Sequence, residues 1–332
     1  MNNGRTSNTD RVLLADIGGT NARFALMDDS GIGAIEHLKV ADFPGVTEAI
    51  SAFLQLRAPH STVEAAVLGV AGPVDNNRCT ITNSRWLIDG ASLQKTFGFG
   101  AARLLNDFEA VAWSLPHLQP KDVYALGEQR GVAGAPMLVL GPGTGFGAAC
   151  LFSPDAKPFA AVTEAGHATM PASSDREEQV IACLRRRFGH VSIERVLSGD
   201  GLENLYQALA TVDGVTAAER DAAAITAAAL NGSCGVSNAA LEMFCSFLGA
   251  VAGNLALTFS ARGGVFIAGG IVPRFADRLS RSSFRKQFES KGRFESYLRT
   301  IPNRIIVRPD ASFIGLKAFF AHHMASGSRG RR

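Results

Sequence analysis

The chain has 332 residues, which exceeds the length of a typical single core and predicts two lobes of roughly 100–200 residues each. Apolar residues make up 46% and charged residues 19%, so the chain has ample material for a core and is unlike a disordered protein. The net charge is only +3, and the basic end alone contributes Arg329, Arg331 and Arg332. The near-neutral remainder has no basic stripe of the kind that binds nucleic acid.

Apolar runs bounded by Gly, Pro, Asn or Asp predict strands, and helical patterns fall between them. Strands are predicted at 11–16, 22–28, 64–70, 102–106, 136–141, 147–152, 264–269 and 304–309. Helices are predicted at 46–56, 107–115, 175–189, 199–212, 216–231, 238–261 and 311–324. This order predicts an α/β chain with a small α/β lobe followed by a larger helix-rich lobe, divided near residues 114–122, where two prolines interrupt the pattern.

The cysteines and the apolar segments bear on the cellular compartment. Five cysteines are scattered without the spacing of a zinc site, which favours reduced thiols in the cytoplasm. The polar N-terminus has no apolar segment typical of a secretory signal. Residues 243–261 are uncharged and long enough to span a membrane, but Asn254 and three hydroxyl side chains dilute them. We therefore expect a buried core helix and no membrane partner.

An internal repeat relates two glycine turns. LLADIGGTNARFAL at 13–26 and LVLGPGTGFGAACL at 138–151 align at an offset of 125 residues, each as strand, glycine turn and strand. Without bulky side chains, such turns let backbone N–H groups approach phosphate oxygens, although a hairpin turn without a ligand remains an alternative for either turn alone. Neither turn has the lysine of a Walker A loop, and the segment after the second is too short to be a dinucleotide-binding helix.

Several polar residues have both a functional and an ordinary interpretation. In RLLNDFEAVAWSLP at 103–116, the Asn106–Asp107 pair stands between a strand and a helix, where it is either a helix cap or a chemical group. Glu164 and His167 would ordinarily be solvated loop residues, and Glu194 a first-turn helix carboxylate. Gly269 and Gly270 follow a buried strand, where the backbone could approach a base or ribose, or simply turn.

Taken in order, these motifs resemble those of the bacterial ATP-dependent glucokinases, members of the actin, hexokinase and Hsp70 superfamily. The resemblance covers about residues 12–320. Its motifs are LLADIGGTNARFAL, GVAGPV (69–74), TNSRW (82–86), LLNDFEAVAWSL, VLGPGTGFGAACL, TEAGHATMPAS (163–173), SIERVLSGDGLENLY (192–206) and VFIAGGIVPRF. The family's usual Glu-Gly-Gly-His appears as Glu164-Ala165-Gly166-His167, which could tighten that loop, and the cysteine-rich zinc motif of the related repressor/open-reading-frame/kinase group is absent.

The resemblance implies a two-lobed actin-like ATPase (ribonuclease H-like) fold, with ATP between the lobes and glucose in the cleft. The implied domains are a small α/β domain at 11–117 plus 308–324 and a large α/β domain at 118–307, with disordered tails at 1–10 and 325–332. A cytoplasmic homodimer is implied as well. The implied reaction transfers the γ-phosphoryl group of ATP to the 6-hydroxyl of D-glucose. The alternatives are a kinase for fructose or mannose, and a non-catalytic sugar-sensing protein.

The resemblance also assigns site residues, because phosphoryl transfer needs charge neutralisation on the phosphates and an acceptor for the hydroxyl proton. Asp107 is the implied general base, and Asp16 is implied to hold Mg²⁺, through water. The implied glucose contacts are Asn106, Asp107, Glu164, His167 and Glu194. The implied ATP-binding residues are Ala15, Asp16, Ile17, Gly18, Gly19, Thr20, Gly143, Thr144, Gly145, Gly269 and Gly270.

Overall fold

The computed structural model describes residues 11–59, 61–81, 84–154 and 157–325. The chain divides into two compact units: unit 1 is Met1–His117 with Asp310–Arg332, and unit 2 is Leu118–Pro309. The predicted tails lie outside the described residues, apart from Ala325, as do residues 82–83 of the TNSRW motif.

The described residues form fourteen strands and eleven α-helices. The strands are β1 (Arg11–Ile17), β2 (Asn21–Asp28), β3 (Gly31–Ile32), β4 (Glu36–Lys39), β5 (Val63–Val70), β6 (Arg78–Thr80), β7 (Leu87–Asp89), β8 (Ala101–Asn106), β9 (Val123–Ala125), β10 (Met137–Pro142), β11 (Phe146–Phe152), β12 (Phe159–Thr163), β13 (Gly264–Ile267) and β14 (Asn303–Ile306). The helices are α1 (Val46–Arg57), α2 (Gly90–Phe97), α3 (Asp107–Ser114), α4 (Asp175–Phe188), α5 (Gly199–Val212), α6 (Ala222–Leu230), α7 (Gly235–Thr258), α8 (Ala276–Ser280), α9 (Phe284–Glu289), α10 (Glu295–Arg299) and α11 (Ala311–His323).

Unit 1 is built on a sheet with the order β3-β2-β1-β5-β8, in which β4 also pairs with β2. Strands β1, β5 and β8 are parallel, and β2 is antiparallel to β1. Alternate residues of β1 enter two separate cores: Leu13 packs with α1 and α2 on one face, and Leu14 packs with α3 and α11 on the other. Burial on both faces explains why these strands are continuous apolar runs.

Unit 2 is built on a second sheet, with the order β12-β11-β10-β13-β14-β9. Here β10 is antiparallel to β11 and parallel to β13, as β1 is to β2 and β5. Helices α4, α5 and α7 supply much of the core, through side chains such as Ile181, Leu205 and Phe247.

Helix α7 contains most of the uncharged segment 243–261. It is the one helix of the described residues long and apolar enough to cross a membrane, with a mean hydropathy of 1.6. In the structure 78% of its most apolar window is buried inside the protein. The helix therefore belongs to the core of unit 2, as the sequence predicts and as expected of a soluble protein.

The two repeat segments form equivalent hairpins whose turns differ in length. In the first, Ile17 pairs with Ala22, so four residues form the turn. In the second, Pro142 pairs with Phe146, so three residues form the turn. The constant offset of 125 therefore aligns the strands that enter the turns, whereas the strands that leave them are displaced by one residue.

Candidate functional site

The first glycine turn follows β1 directly. The N–H of Gly18 donates to the carbonyl of Asn21 at 2.9 Å, and the carbonyl of Thr20 accepts from the N–H of Val40 at 2.9 Å. The N–H groups of Gly19 and Thr20 have no acceptor among the described residues. They are therefore available to an anion, as a phosphate-binding nest requires. The side chains of Ala15 and Ile17 are fully buried in the core, so these two residues could offer a ligand only their backbone.

Asp16 is the next-to-last residue of β1 and takes part in a network of hydrogen bonds. Its Oδ2 accepts from Ser312 Oγ at 2.8 Å and from Arg23 Nη1 at 3.2 Å. Arg23 Nη1 also lies 3.4 Å from Asp310 Oδ1. Burial raises the pKa of Asp16, and the charge of Arg23 and the hydrogen bond from Ser312 oppose this rise. The two donors therefore stabilise the ionised form needed at a cation site.

The register of the sheet places two predicted site segments at one edge. Ile17 of β1 is level with Val70 of β5, and Val70 is level with Asn106 of β8. Because these strands are parallel, the segments that follow them leave the sheet at the same carboxyl edge, where α/β proteins commonly bind ligands. The first glycine turn, the GVAGPV segment and the Asn106–Asp107 pair share this edge.

The structure separates the roles of Asn106 and Asp107. Asn106 is the N-cap of α3, and its Oδ1 accepts from the N–H groups of Phe108 at 3.0 Å and Glu109 at 3.3 Å. Its Nδ2 donates to the carbonyl of Gly72 at 3.2 Å. Asp107 is the first helical residue, and its Oδ1 accepts from the N–H of Phe108 at 2.9 Å. The cap is therefore Asn106, and a sugar hydroxyl could meet only the remaining proton of its Nδ2.

Glu109, two residues after Asp107, has no assigned role in the sequence prediction. The backbone of Asn106 lies near enough to its carboxylate to lower its pKa, and the N–H of Glu109 donates to the Asn106 side chain at 3.3 Å. Burial raises the pKa of Glu109 to about 7, although the backbone of Asn106 opposes the rise. Trp113 Nε1 also lies near enough to lower the pKa, without a hydrogen bond of ordinary geometry. The spacing Asn-x-x-Glu is the sequence signal that favours Asn106 as the N-cap of α3.

The second glycine turn is tied to two other segments of unit 2. The N–H of Gly143 donates to the carbonyl of Gly145 at 2.7 Å, and the carbonyl of Gly143 accepts from Gly199 at the start of α5 at 3.0 Å. The N–H of Phe146, just after the turn, donates to Glu194 Oε2 at 2.9 Å. A Cβ at Gly145 would overlap this carboxylate, so only glycine leaves room for the contact. The N–H groups of Thr144 and Gly145 have no acceptor among the described residues.

The Glu164–His167 segment lies beside the same turn. A Cβ at Gly166 would overlap the carbonyl of Phe146, and the carbonyl of Gly166 accepts from the N–H of Glu194 at 2.9 Å. Glu164 and His167 have exposed side chains, with 4.0 Å between Glu164 Oε2 and His167 Nε2. Ala165 lies in a short 3₁₀ turn with negative φ, so replacing the usual glycine introduces no backbone strain. The structure thus brings Glu164, His167 and Glu194 together around Gly166.

Gly269 and Gly270 follow β13, next to the strand that enters the second turn. Gly269 has φ +95°, and a Cβ there would overlap the carbonyl of Pro142. Gly141, whose role sequence reasoning missed, makes the same kind of close approach to the carbonyl of Ala268. Gly270 faces open space. The paired strand ends thus leave an exposed backbone beside the second turn.

The donor set fits Mg²⁺ held mainly by a nucleotide. No group of three or more His, Cys, Asp or Glu side chains that could hold a metal occurs in the described ranges. Mg²⁺ commonly uses one or two carboxylates and completes its shell with phosphate oxygens and water. Asp16 Oδ1 has no hydrogen bond within the described residues, which leaves one hard oxygen ligand next to the first turn.

Comparison with known proteins decides the family. The model of the family described as Glucokinase matches residues 13–323. The chain belongs to the glucokinase family. A glucokinase of Paramagnetospirillum magneticum is 46% identical over 308 residues, covering 92% of this chain and 96% of that protein. The crystal structure of a glucokinase from an Antarctic psychrotroph is 37% identical, with a TM-score of 0.85 and coverage of 93% of this chain and 98% of that one.

More distant structures bear on the fold. A ROK family glucokinase from Streptomyces griseus, solved with glucose and AMPPNP, is 19% identical with a TM-score of 0.62, covering 92% of this chain and 97% of that one. The actin-like ATPase fold predicted from the sequence is thereby confirmed.

Proposed function

We propose that this protein transfers the γ-phosphoryl group of ATP to the 6-hydroxyl of D-glucose, giving glucose 6-phosphate and ADP. As a member of the glucokinase family, it is an ATP-dependent hexose kinase. The observation that carries the proposed mechanism is the shared strand edge of unit 1, at which Asp16 with its glycine turn and Asp107 both follow parallel strands.

Nucleotide binding is assigned to backbone groups at the glycine turns and after β13. The N–H groups of Gly19, Thr20, Thr144 and Gly145 are the donors for phosphate oxygens, which need many hydrogen bonds and little side-chain bulk. The exposed backbone at 269–270 is assigned to the adenosine. When bound, Mg²⁺ would be held by Asp16, through water, and would neutralise charge on the phosphates.

Asp107 is proposed to accept the proton of the glucose 6-hydroxyl. As the proton leaves, the hydroxyl oxygen bonds to the γ-phosphorus of ATP, and the bond from that phosphorus to ADP breaks. Support comes from the division of labour with Asn106, because capping of α3 is assigned to the neighbouring amide. The pKa of the nearby Cys79 thiol is raised, mainly by burial and secondly by the negative charge of Asp107. A positioned base of this kind contributes roughly 10²–10⁴-fold in rate.

Glucose recognition is proposed for Glu164, His167 and Glu194, with one Nδ2 proton of Asn106. Each carboxylate can accept from two hydroxyl groups, and the amide and imidazole can donate. Glu194 Oε2 is already bonded to Phe146, so Oε1 is the oxygen proposed for the sugar. A site built from fixed polar groups disfavours an epimer that leaves one of them unpaired.

Membership of the family also supports proposals about the oligomeric state and the cellular compartment. We infer a cytoplasmic homodimer, in keeping with five free cysteines. Light scattering after size exclusion is expected to give a mass near twice 35.0 kDa, and a monomeric mass at working concentration would contradict it.

The direct test is a coupled assay with ATP and a panel of glucose, fructose, mannose and N-acetylglucosamine. Glucose is expected to give the highest kcat/KM. A higher kcat/KM for another hexose would identify that hexose as the substrate in place of glucose. If no hexose were phosphorylated, the proposed kinase activity would be refuted. No observation favours the sugar-sensing alternative.

A further inference from the structure

The last helix of the chain contributes a side chain to the first phosphate turn. Ser312 lies in the first turn of α11 and is buried, with 5% of its surface exposed. Its hydroxyl donates to Asp16 Oδ2 at 2.8 Å across 296 residues of sequence. Nothing in the motif pattern of the first hairpin predicts this contact.

Two donors converge on one oxygen of Asp16. Arg23 Nη1 donates to the same Oδ2 at 3.2 Å, and its other carboxylate neighbour is Asp310 Oδ1 at 3.4 Å. Asp310 is the N-cap residue of α11 and has the left-handed φ of +56°. With Oδ2 fixed from two directions, the carboxylate plane of Asp16 has little freedom, and Oδ1 is the oxygen left for a further ligand.

Helix α11 itself is firmly located in unit 1. A Cβ at Gly315 would overlap the carbonyl of Ala110, so α11 crosses α3 at backbone contact distance. Phe313 and Leu316, on either side of this crossing, are buried in the core shared with β1 and α3. A hydroxyl carried by such a helix is preorganised, because little conformational entropy is lost when it holds its acceptor.

We propose that Ser312 is a positioning residue for nucleotide-bound Mg²⁺: together with Arg23 it holds Oδ2 of Asp16, so that Oδ1 is presented to the cation and its water. This inference rests on the proposed role of Asp16 at the nucleotide. It assigns to the C-terminal helix a function in the phosphate site, in addition to its packing role.

The test compares Ser312→Ala with Ser114→Ala. Ser114 is a matched control because it is buried like Ser312 and lies on the helix that α11 crosses. Among the described residues its hydroxyl donates only within its own helix, to the carbonyl of Val111 at 2.6 Å. Calorimetry measures binding of Mg·ADP and, separately, of glucose, and a Mg²⁺ titration of the steady-state rate gives the half-saturating concentration. Thermal unfolding checks that both variants are folded.

Loss of one hydrogen bond to a charged group is expected to weaken Mg·ADP binding by about 10-fold in Ser312→Ala and to raise the half-saturating Mg²⁺ concentration. The affinity of Ser312→Ala for glucose should change less than 2-fold, and Ser114→Ala should bind both Mg·ADP and glucose with wild-type affinity. The inference would be overturned if the two variants bound Mg·ADP with equal affinity. It would also be overturned if Ser312→Ala lost as much affinity for glucose as for Mg·ADP. Mg·ADP binding is measured without a sugar. A wild-type protein that binds Mg·ADP but phosphorylates no hexose would therefore refute the proposed function and leave the inference about Ser312 open to the same binding test.

Discussion

Glu194 has two roles in this account, one in folding and one in sugar binding, and truncation should reveal both. In Glu194→Ala, the buried N–H of Phe146 loses its acceptor at 2.9 Å. Leaving a buried donor unsatisfied costs about 1–3 kcal/mol. For a unit of this size, that loss corresponds to a fall in Tm of roughly 2–12 °C. Removal of the proposed sugar contact should also raise the KM for glucose by about 10-fold or more.

Glu164→Ala is the matched control, because Glu164 is a second proposed sugar carboxylate whose side chain is 62% exposed. It should raise the KM for glucose by a comparable factor, while its free energy of unfolding stays within about 0.5 kcal/mol of wild type. Glu194→Gln keeps an acceptor oxygen for Phe146 and should recover most of the stability.

Urea unfolding and steady-state kinetics of the three variants separate the two roles. The reasoning would be refuted if Glu194→Ala were as stable as Glu164→Ala, or if Glu194→Ala lost stability and kept the wild-type KM for glucose.

Two further predictions concern the start of α3. Asn106→Ala should destabilise the protein by about 1 kcal/mol, because it removes the N-cap acceptor for Phe108 and Glu109; urea unfolding that matches wild type would contradict the cap assignment. Burial raises the pKa of Glu109 from 4.5 to about 7, so the folded chain holds this proton more tightly than the unfolded chain, and the stabilisation is lost as pH rises through that interval. Between pH 5 and pH 8, the free energy of unfolding of wild type should therefore fall by roughly 1 kcal/mol relative to that of Glu109→Gln, after allowance for partial exposure. The same difference between the two proteins at both pH values would count against this prediction.

The strands and helices that were predicted well are those whose pattern is set by burial. Strands β1 and β10 are continuous apolar runs because both of their faces are covered, and the glycine turns mark their ends. Strand β4 is the polar run Glu36–Lys39 and exists because it pairs with β2, which no local pattern indicates. The predicted helix at 216–231 begins only at Ala222, because the side chain of Asp221 caps it there.

The candidate site divides in the same way. The glycine turns and the Asn-Asp pair are local features and can be located from the sequence. Which member of the pair caps α3 depends on backbone geometry, and the structure assigns the cap to Asn106. The contacts of Glu194 with Phe146 and of Ser312 with Asp16 join segments 48 and 296 residues apart. Such pairs are fixed by tertiary packing, so the sequence of either segment alone does not reveal them.

The central claim, that Asp107 is the base of an ATP-dependent glucose kinase, is tested most directly by kcat of Asp107→Asn with saturating glucose and Mg·ATP. The amide keeps the size of the side chain and removes its basicity, and the cap on Asn106 is untouched. The account predicts wild-type stability and glucose affinity with kcat reduced by roughly 10²-fold or more. A folded Asp107→Asn variant with the kcat of wild type would contradict it.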